Sequence, residues 1–254
     1  MPSPIPIVRI LTRLNIGGPA VHAAILSTQL PSERFSTCLV AGEPDQTEGS
    51  LAGLVEGRAR LIRINSLRRP LRPWADLMTL WRLLRLLWKE QPRIIHTHMA
   101  KAGTLGRAAG VLYNTVGPGR VPGRRALLIH TFHGHVLEGY FSALLTRLFI
   151  AMERWLARRT DCLIAVSEEV ARQLKALGIG RDEQWRVVRL GLELAPLARL
   201  SLPNGIVSLR AGLVGRLVPI KQPGLFLDGL QRAIQRRVPV SGTVVGDGQL
   251  RPEL

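Results

Sequence analysis

Five of the six histidines fall in two short stretches, His96-Thr97-His98 and His130-Thr131-Phe132-His133-Gly134-His135. Imidazole titrates near neutrality, so such clusters suit hydrogen bonding to a sugar hydroxyl or phosphate, proton handling, or metal ligation. Each stretch closes an apolar run of strand character. His98, His133 and His135 follow at the ends of these runs, whereas His130 reads as a strand residue. Capping of strand ends is the plain alternative role for these histidines. Glu138 could add a carboxylate to a zinc or iron set, but no cysteine lies near and no histidine follows His135, so no metal is assigned.

Two further stretches suit anions. Asn15-Ile16-Gly17-Gly18-Pro19 leads from an apolar run into a helical pattern. Glycines let backbone N–H groups approach an anion there, and the helix dipole adds attraction. A tight strand-to-helix turn explains the same residues equally well. Gly215-Arg216-Leu217-Val218-Pro219-Ile220-Lys221 places a forked guanidinium and a point-charge ammonium five residues apart, a set suited to a diphosphate. The spaced-glycine dinucleotide fingerprint is missing after the first apolar run, which disfavours a nicotinamide or flavin enzyme.

The elements that must position these residues alternate apolar runs with helical spacing, the pattern of a parallel α/β sheet. Strands are predicted at residues 5–11, 35–41, 60–64, 94–96, 126–131, 162–166 and 186–190, enough for one doubly wound domain. In such a sheet the ligand crevice lies beyond the carboxyl ends of the strands, where the histidines and the Gly17-Gly18 turn fall. Tyr140, Phe141, Leu144, Leu145, Leu148, Phe149, Met152, Trp155 and Leu156 recur at helical spacing and predict one core face, with Arg147, Arg154 and Arg158 opposite.

Residues 74–90 are apolar on more than one face. Leu77, Met78, Trp81, Leu84 and Trp88 form one stripe and Arg82, Arg85 and Lys89 a second. This fits a helix lying on an anionic membrane, or one packed between a sheet and a neighbouring domain. Pro196, Pro203, Asn204 and Gly205 mark a linker over 196–205. It separates an N-terminal Rossmann-like domain, 1–195, from a second unit, 206–254, with strands at 206–214 and 238–245 around a helix at 223–237. Two strands and a helix scarcely enclose a core, so this second Rossmann-like unit is expected to be incomplete.

Of the 254 residues 46% are hydrophobic, which excludes disorder as the main state. No apolar run reaches the roughly 20 residues of a membrane-spanning helix. The first residues lack a signal-peptide pattern, and Cys38 and Cys162 sit in strand-like segments, so a reduced, cytoplasmic protein is expected. Basic residues outnumber acidic ones 35 to 18, giving a formal net charge of +17. Only four are lysine and the arginines are dispersed, so nucleic acid is not the expected partner, whereas anionic partners are.

Taken together, the Gly17-Gly18 turn, His96-Thr97-His98, Ala100-Lys101-Ala102-Gly103, Thr131-Phe132-His133-Gly134-His135, Val166-Ser167-Glu168, residues 187–193, Gly215-Arg216-Leu217 with Lys221, and Val245-Gly246-Asp247-Gly248 stand in an order that resembles a retaining glycosyltransferase of the GT-B fold, family 4 type. The resemblance runs nearly end to end. It implies a nucleotide-sugar donor (UDP or GDP), with no further cofactor, and an acceptor held by the N-terminal domain. Residues matching Arg216 and Lys221 would bind the donor diphosphate in place of a metal, Gly17 and Gly18 would meet the phosphate, and His133 would contact the donor sugar near the reacting centre.

His98, His135, Glu168, Gly246 and Asp247 are secondary cleft candidates. The family's later Glu, seven residues, Glu element falls beyond residue 254, so a truncated chain of little or no activity is expected. The expected acceptor is a lipid-linked or cell-envelope glycan, with peripheral contact at the inner membrane face. A sugar-nucleotide epimerase of similar fold, an Arg-rich nucleic-acid-binding module and a non-catalytic acceptor-binding domain are the alternatives.

Overall fold

In the computed structural model, residues 3–45, 48–134, 143–200 and 209–254 are described. The chain divides into two compact units, Met1–Leu192 and Glu193–Leu254.

The first unit is built on a seven-stranded parallel sheet. Its strands are β1 (Ile5–Arg13), β2 (Phe35–Gly42), β3 (Arg60–Arg63), β4 (Ile94–His98), β5 (Leu127–Phe132), β6 (Cys162–Ala165) and β7 (Trp185–Val187). Their order across the sheet is β3-β2-β1-β4-β5-β6-β7, all neighbours parallel. The order reverses between β1 and β4, and this is the switch point at which such sheets open a crevice.

Alternation along β1 sorts the core into two layers. Val8 and Ile10 join Ile95, Leu128, Leu83, Leu87 and Tyr113 on one face, while Leu11 joins Leu39, Ala20, Ala23 and Ala24 on the other. The second layer is covered by α1 (Gly18–Thr28), whose buried alanines let it lie close to the sheet. The first is covered by α2 (Pro73–Glu90) and α3 (Ala100–Thr115), and α3 packs in turn against α4 (Ala143–Ala157). A third cluster, Phe132, Leu163, Ala165, Leu174, Ile179 and Trp185, lies under α5 (Glu168–Ala176).

Three glycines explain the close fit of α3. A Cβ at Gly103 would stand 2.4 Å from the His130 ring, one at Gly106 2.6 Å from Thr97 Cγ2, and one at Gly110 2.5 Å from Leu128. Helix α4 is fastened to α3 by a buried pair, in which Arg107 Nη2 donates to both Glu153 oxygens at 2.7 Å and Arg107 Nε donates to the Gly103 carbonyl at 2.8 Å. Helix α5 is capped by Ser167, whose hydroxyl accepts from the Val170 N–H, a normal N-cap.

One helical face differs from expectation and another is settled. In α4, Leu144, Leu148 and Trp155, expected on the core face, are exposed. In α2, apolar on more than one face, the buried residues are Thr79, Leu83 and Leu87, so the Leu77-Trp81-Trp88 stripe points outward. Tyr140 and Phe141 lie outside the described residues. The reason is shared: each helix presents a narrow strip to α3 and the sheet, and its remaining apolar residues exceed what that strip can bury.

The second unit holds a short helix, α6 (Ala195–Ala198), at the start of the segment expected to be a linker and across the expected 195/196 boundary, then β8 (Leu209–Val214), α7 (Pro223–Gln235) and β9 (Val240–Val245). Strands β8 and β9 pair in parallel. Among its described residues only Leu217 and Pro223 are buried.

Candidate active site

The residues at the carboxyl ends of β1, β4 and β5 come together at the switch point. Register sets His98 beside Leu11 of β1 and Thr131 of β5, and sets His96 beside Arg9. His98 Nδ1 lies 3.0 Å from His133 Nε2 in a hydrogen bond between imidazoles. Ring centroids are 4.2 Å apart for His96 and His98 and 5.3 Å for His98 and His133. His22 of α1 meets both edge-on, at 5.8 Å from His98 and 5.4 Å from His133. His96 Nε2 is tied to Thr131 Oγ1 at 2.8 Å.

His98 is therefore not a side chain projecting into open crevice. It is fully buried, and it supports His133, the more exposed partner. His130 belongs to the opposite face, bonded to Thr97 Oγ1 at 2.8 Å and packed over Gly103. His135 and Glu138 lie outside the described residues.

Arg9 and His22 are the members that motif reading missed. Arg9 is buried in the sheet with Nε and Nη1 lacking partners, and burial pulls its guanidinium down to about 10. Desolvation is the main cause that keeps every imidazole here neutral: His133 falls to about 4, His22 is lowered, and His96 and His98 lie well below the usual value. The Arg9 charge adds to the effect on His22, His96 and His98. The signal for Arg9 was available as the one charge within the apolar run of residues 5–11. His22 had no local signal beyond its place one turn into α1.

The Gly17-Gly18 turn is held from behind. Arg13 pairs with Glu48 at 2.5 and 2.7 Å, the Ile16 N–H donates to the Gly49 carbonyl, and the Leu51 N–H donates to the Leu14 carbonyl. A Cβ on Gly17 would meet Pro19 and one on Gly18 would meet Leu190, each at an ordinary contact of 3.9 Å, so neither glycine is forced by crowding at the start of α1. Met99, between His98 and α3, has φ 65° and ψ 161°, a region almost reserved for glycine. Backbone held in such regions costs of order 1–3 kcal/mol and clusters at functional sites.

One nitrogen each from His22, His98 and His133 lies within 4.8 Å of the others, the composition of a three-imidazole metal site. The Arg9 cation, whose charge reaches His22 and His98, opposes a dication there, and a neutral polar ligand suits these nitrogens better.

Glu168 opens α5 and is exposed, and no described contact joins it to the imidazoles. In the second unit, Arg216 and Lys221 are exposed in the β8–α7 connection. Gly246 and Gly248 bring the β9 loop against them: a Cβ at Gly246 would stand 1.8 Å from the Gly215 carbonyl oxygen, and one at Gly248 2.4 Å from that of Leu217. Asp247, between them, accepts from the Leu217 N–H through its backbone carbonyl.

Residues 17–191 match the glycosyl transferase 4-like domain, from the glycine turn to the end of the first unit. The chain belongs to that family, of GT-B family 4 type. A relative from Escherichia coli, named UDP-Gal:alpha-D-GlcNAc-diphosphoundecaprenol alpha-1,3-galactosyltransferase, is 29% identical over 237 residues, which are 89% of this chain and 57% of the relative. The glycosyl transferase 4-like chain thus spans somewhat over half that relative's length.

Its fold is that of the apo lipopolysaccharide outer core galactosyltransferase, with a TM-score of 0.62 at 13% identity over 98% of this chain and 63% of the other. A UDP-GlcNAc 2-epimerase from Methanocaldococcus jannaschii shares it less closely, with a TM-score of 0.53 at 11% identity over 94% of this chain and 65% of that one. The fold is therefore common to both chemistries.

Proposed function

We propose that this family member acts in transfer of a hexose, with retention, from a UDP- or GDP-sugar to a lipid-linked or cell-envelope glycan. The observation that carries the reading is the neutral imidazole group His22, His98 and His133 at the switch point of a glycosyl transferase 4-like domain. The relative's printed name, a galactosyltransferase acting on a diphosphoundecaprenol-linked GlcNAc, supports the acceptor class. The reading has the protein work in the cytoplasm.

In this reading each group has one task. The neutral His133 exchanges hydrogen bonds with a sugar hydroxyl near the reacting centre, and His98 fixes its ring through the bond of 3.0 Å. Gly17 and Gly18 offer backbone N–H groups and the α1 dipole to a phosphate. Arg216 as a fork and Lys221 as a point charge hold the diphosphate and stabilise the charge it gains as the glycosidic bond breaks, a role a metal ion plays in other transferases. Gly246 and Asp247 shape the loop beside them. Glu168 and His135 stand as secondary candidates.

Titration calorimetry with UDP-galactose, UDP-GlcNAc and GDP-mannose tests this, with Arg216→Ala and Lys221→Ala as controls. Binding of one nucleotide sugar that either substitution weakens at least tenfold is the expected result. Failure of all three to bind overturns it. Product analysis without acceptor separates transfer from epimerisation, because an epimerase converts its substrate unaided. Salt-dependent affinity for duplex DNA without nucleotide-sugar binding would instead favour the nucleic-acid alternative.

A further inference from the structure

Two helices on one side of the sheet leave unusual residues in water. On α2, Trp74, Leu77, Trp81 and Trp88 follow steps of three, four and seven residues and form a stripe opposite the buried Thr79-Leu83-Leu87 strip; Trp74 is 84% exposed. On α4, Leu144, Leu148 and Trp155 do the same, and Leu144 is 79% exposed. Both helices pack against α3, which puts their outer faces on the same side of the sheet.

The charges around these residues have one sign. Arg82, Arg85 and Lys89 run beside the α2 stripe, and Arg147, Arg158 and Arg159 beside that of α4. The acids of these helices are engaged elsewhere: Asp76 with Lys101, Glu90 with Arg60, and Glu153 with Arg107. On each helix an exposed indole lies under an arginine, Trp81 under Arg85 at 4.7 Å and Trp155 under Arg159, just past the end of α4, at 4.1 Å. Exposed tryptophan and leucine framed by uncompensated arginine match the two layers of an anionic bilayer surface, phosphate outside and acyl chain beneath. No described helix is long and apolar enough to cross a membrane.

We propose that the outer faces of α2 and α4 form one surface that lies on an anionic phospholipid bilayer. The surface is separate from the imidazole group and does not depend on the sugar or acceptor assigned to it.

Vesicle flotation tests the proposal, with phosphatidylcholine alone and with phosphatidylcholine containing phosphatidylglycerol. The intact chain is compared with Trp74→Ser/Trp81→Ser, Arg82→Gln/Arg85→Gln and Leu144→Ser/Trp155→Ser. These side chains are exposed, and circular dichroism checks each fold. The chain is expected to float with the phosphatidylglycerol vesicles and to stay behind with phosphatidylcholine. Removing two arginines should weaken partition about 30-fold, and each apolar pair should weaken it about tenfold or more. Raising the salt should release the unaltered chain, a measurement that needs no variant.

Equal partition to both vesicles, no flotation, or retention by all three variants overturns the proposal. So does light scattering that shows a dimer of the unaltered chain dissolved by the same substitutions, since the surface would then bind a second copy. Nucleotide-sugar binding is read separately, so its failure and the failure of lipid binding are distinguishable.

Discussion

Two buried arginines, Arg9 and Arg107, show how a partner decides whether a charge stabilises. Arg107 is held by both oxygens of Glu153 and by the Gly103 carbonyl, whereas Arg9 has two guanidinium nitrogens with nothing to bind. Arg107→Met would strand the Glu153 carboxylate in the interior and should cost about 3–5 kcal/mol. Arg9→Met removes an uncompensated charge and should instead raise stability by about 1–3 kcal/mol. Urea unfolding of the two variants checks the opposite signs.

The imidazoles give a second test. Their folded values lie below the unfolded value near 6.5, His133 at about 4, so below pH 6.5 the unfolded chain takes up more protons than the folded one. The part of the stability that depends on keeping these imidazoles neutral is therefore full above about pH 6.5 and falls as the pH drops toward 4. His133→Asn should flatten that dependence by up to about 1.4 kcal/mol per pH unit, read from urea midpoints between pH 7 and pH 4.5. The reading from sequence placed His133 at a strand end because residue type and a preceding apolar run are local signals. It missed His22 and Arg9 because their meaning comes from β1 lying beside β4 and α1 folding over both, neighbours that are distant in the chain.

At the scale of elements, α3 depends on the smallness of its glycines. Gly103 lies where a methyl group would meet the His130 ring, and that ring cannot swing away without losing its bond to Thr97. Gly103→Ala should destabilise the fold by about 1–3 kcal/mol through overpacking. Gly229 in α7 has nothing within 4 Å, so Gly229→Ala should be neutral or gain up to about 1 kcal/mol from helix propensity. Thermal melts of the pair check that context outweighs propensity. Helix α2 shows the limit of periodicity: it revealed residues 74–90 as apolar on more than one face, but which face is buried depends on where α3 lies. The strands were more legible, since a parallel sheet buries both faces and writes each strand as a continuous apolar run.

Across the whole chain, stability is unevenly shared. All three core clusters lie in the first unit, while the second has a two-stranded sheet and, among its described residues, two buried side chains, Leu217 and Pro223. Backbone hydrogen bonds that little apolar packing protects open locally at low free energy. Amides of β8 and β9 should therefore exchange with deuterium far faster than those of β1 and β4, as measured by mass spectrometry of peptides.

The same measurement reaches the ligand. Gly246 and Gly248 press the β9 loop onto residues 215–217, so an anion held by Arg216 and Lys221 would stabilise both loops at once. Nucleoside diphosphate should slow exchange over residues 215–221 and 246–248 together, while Arg216→Ala should abolish that slowing without altering β1 or β4. Slowing confined to the first unit would remove Arg216 and Lys221 from the diphosphate site.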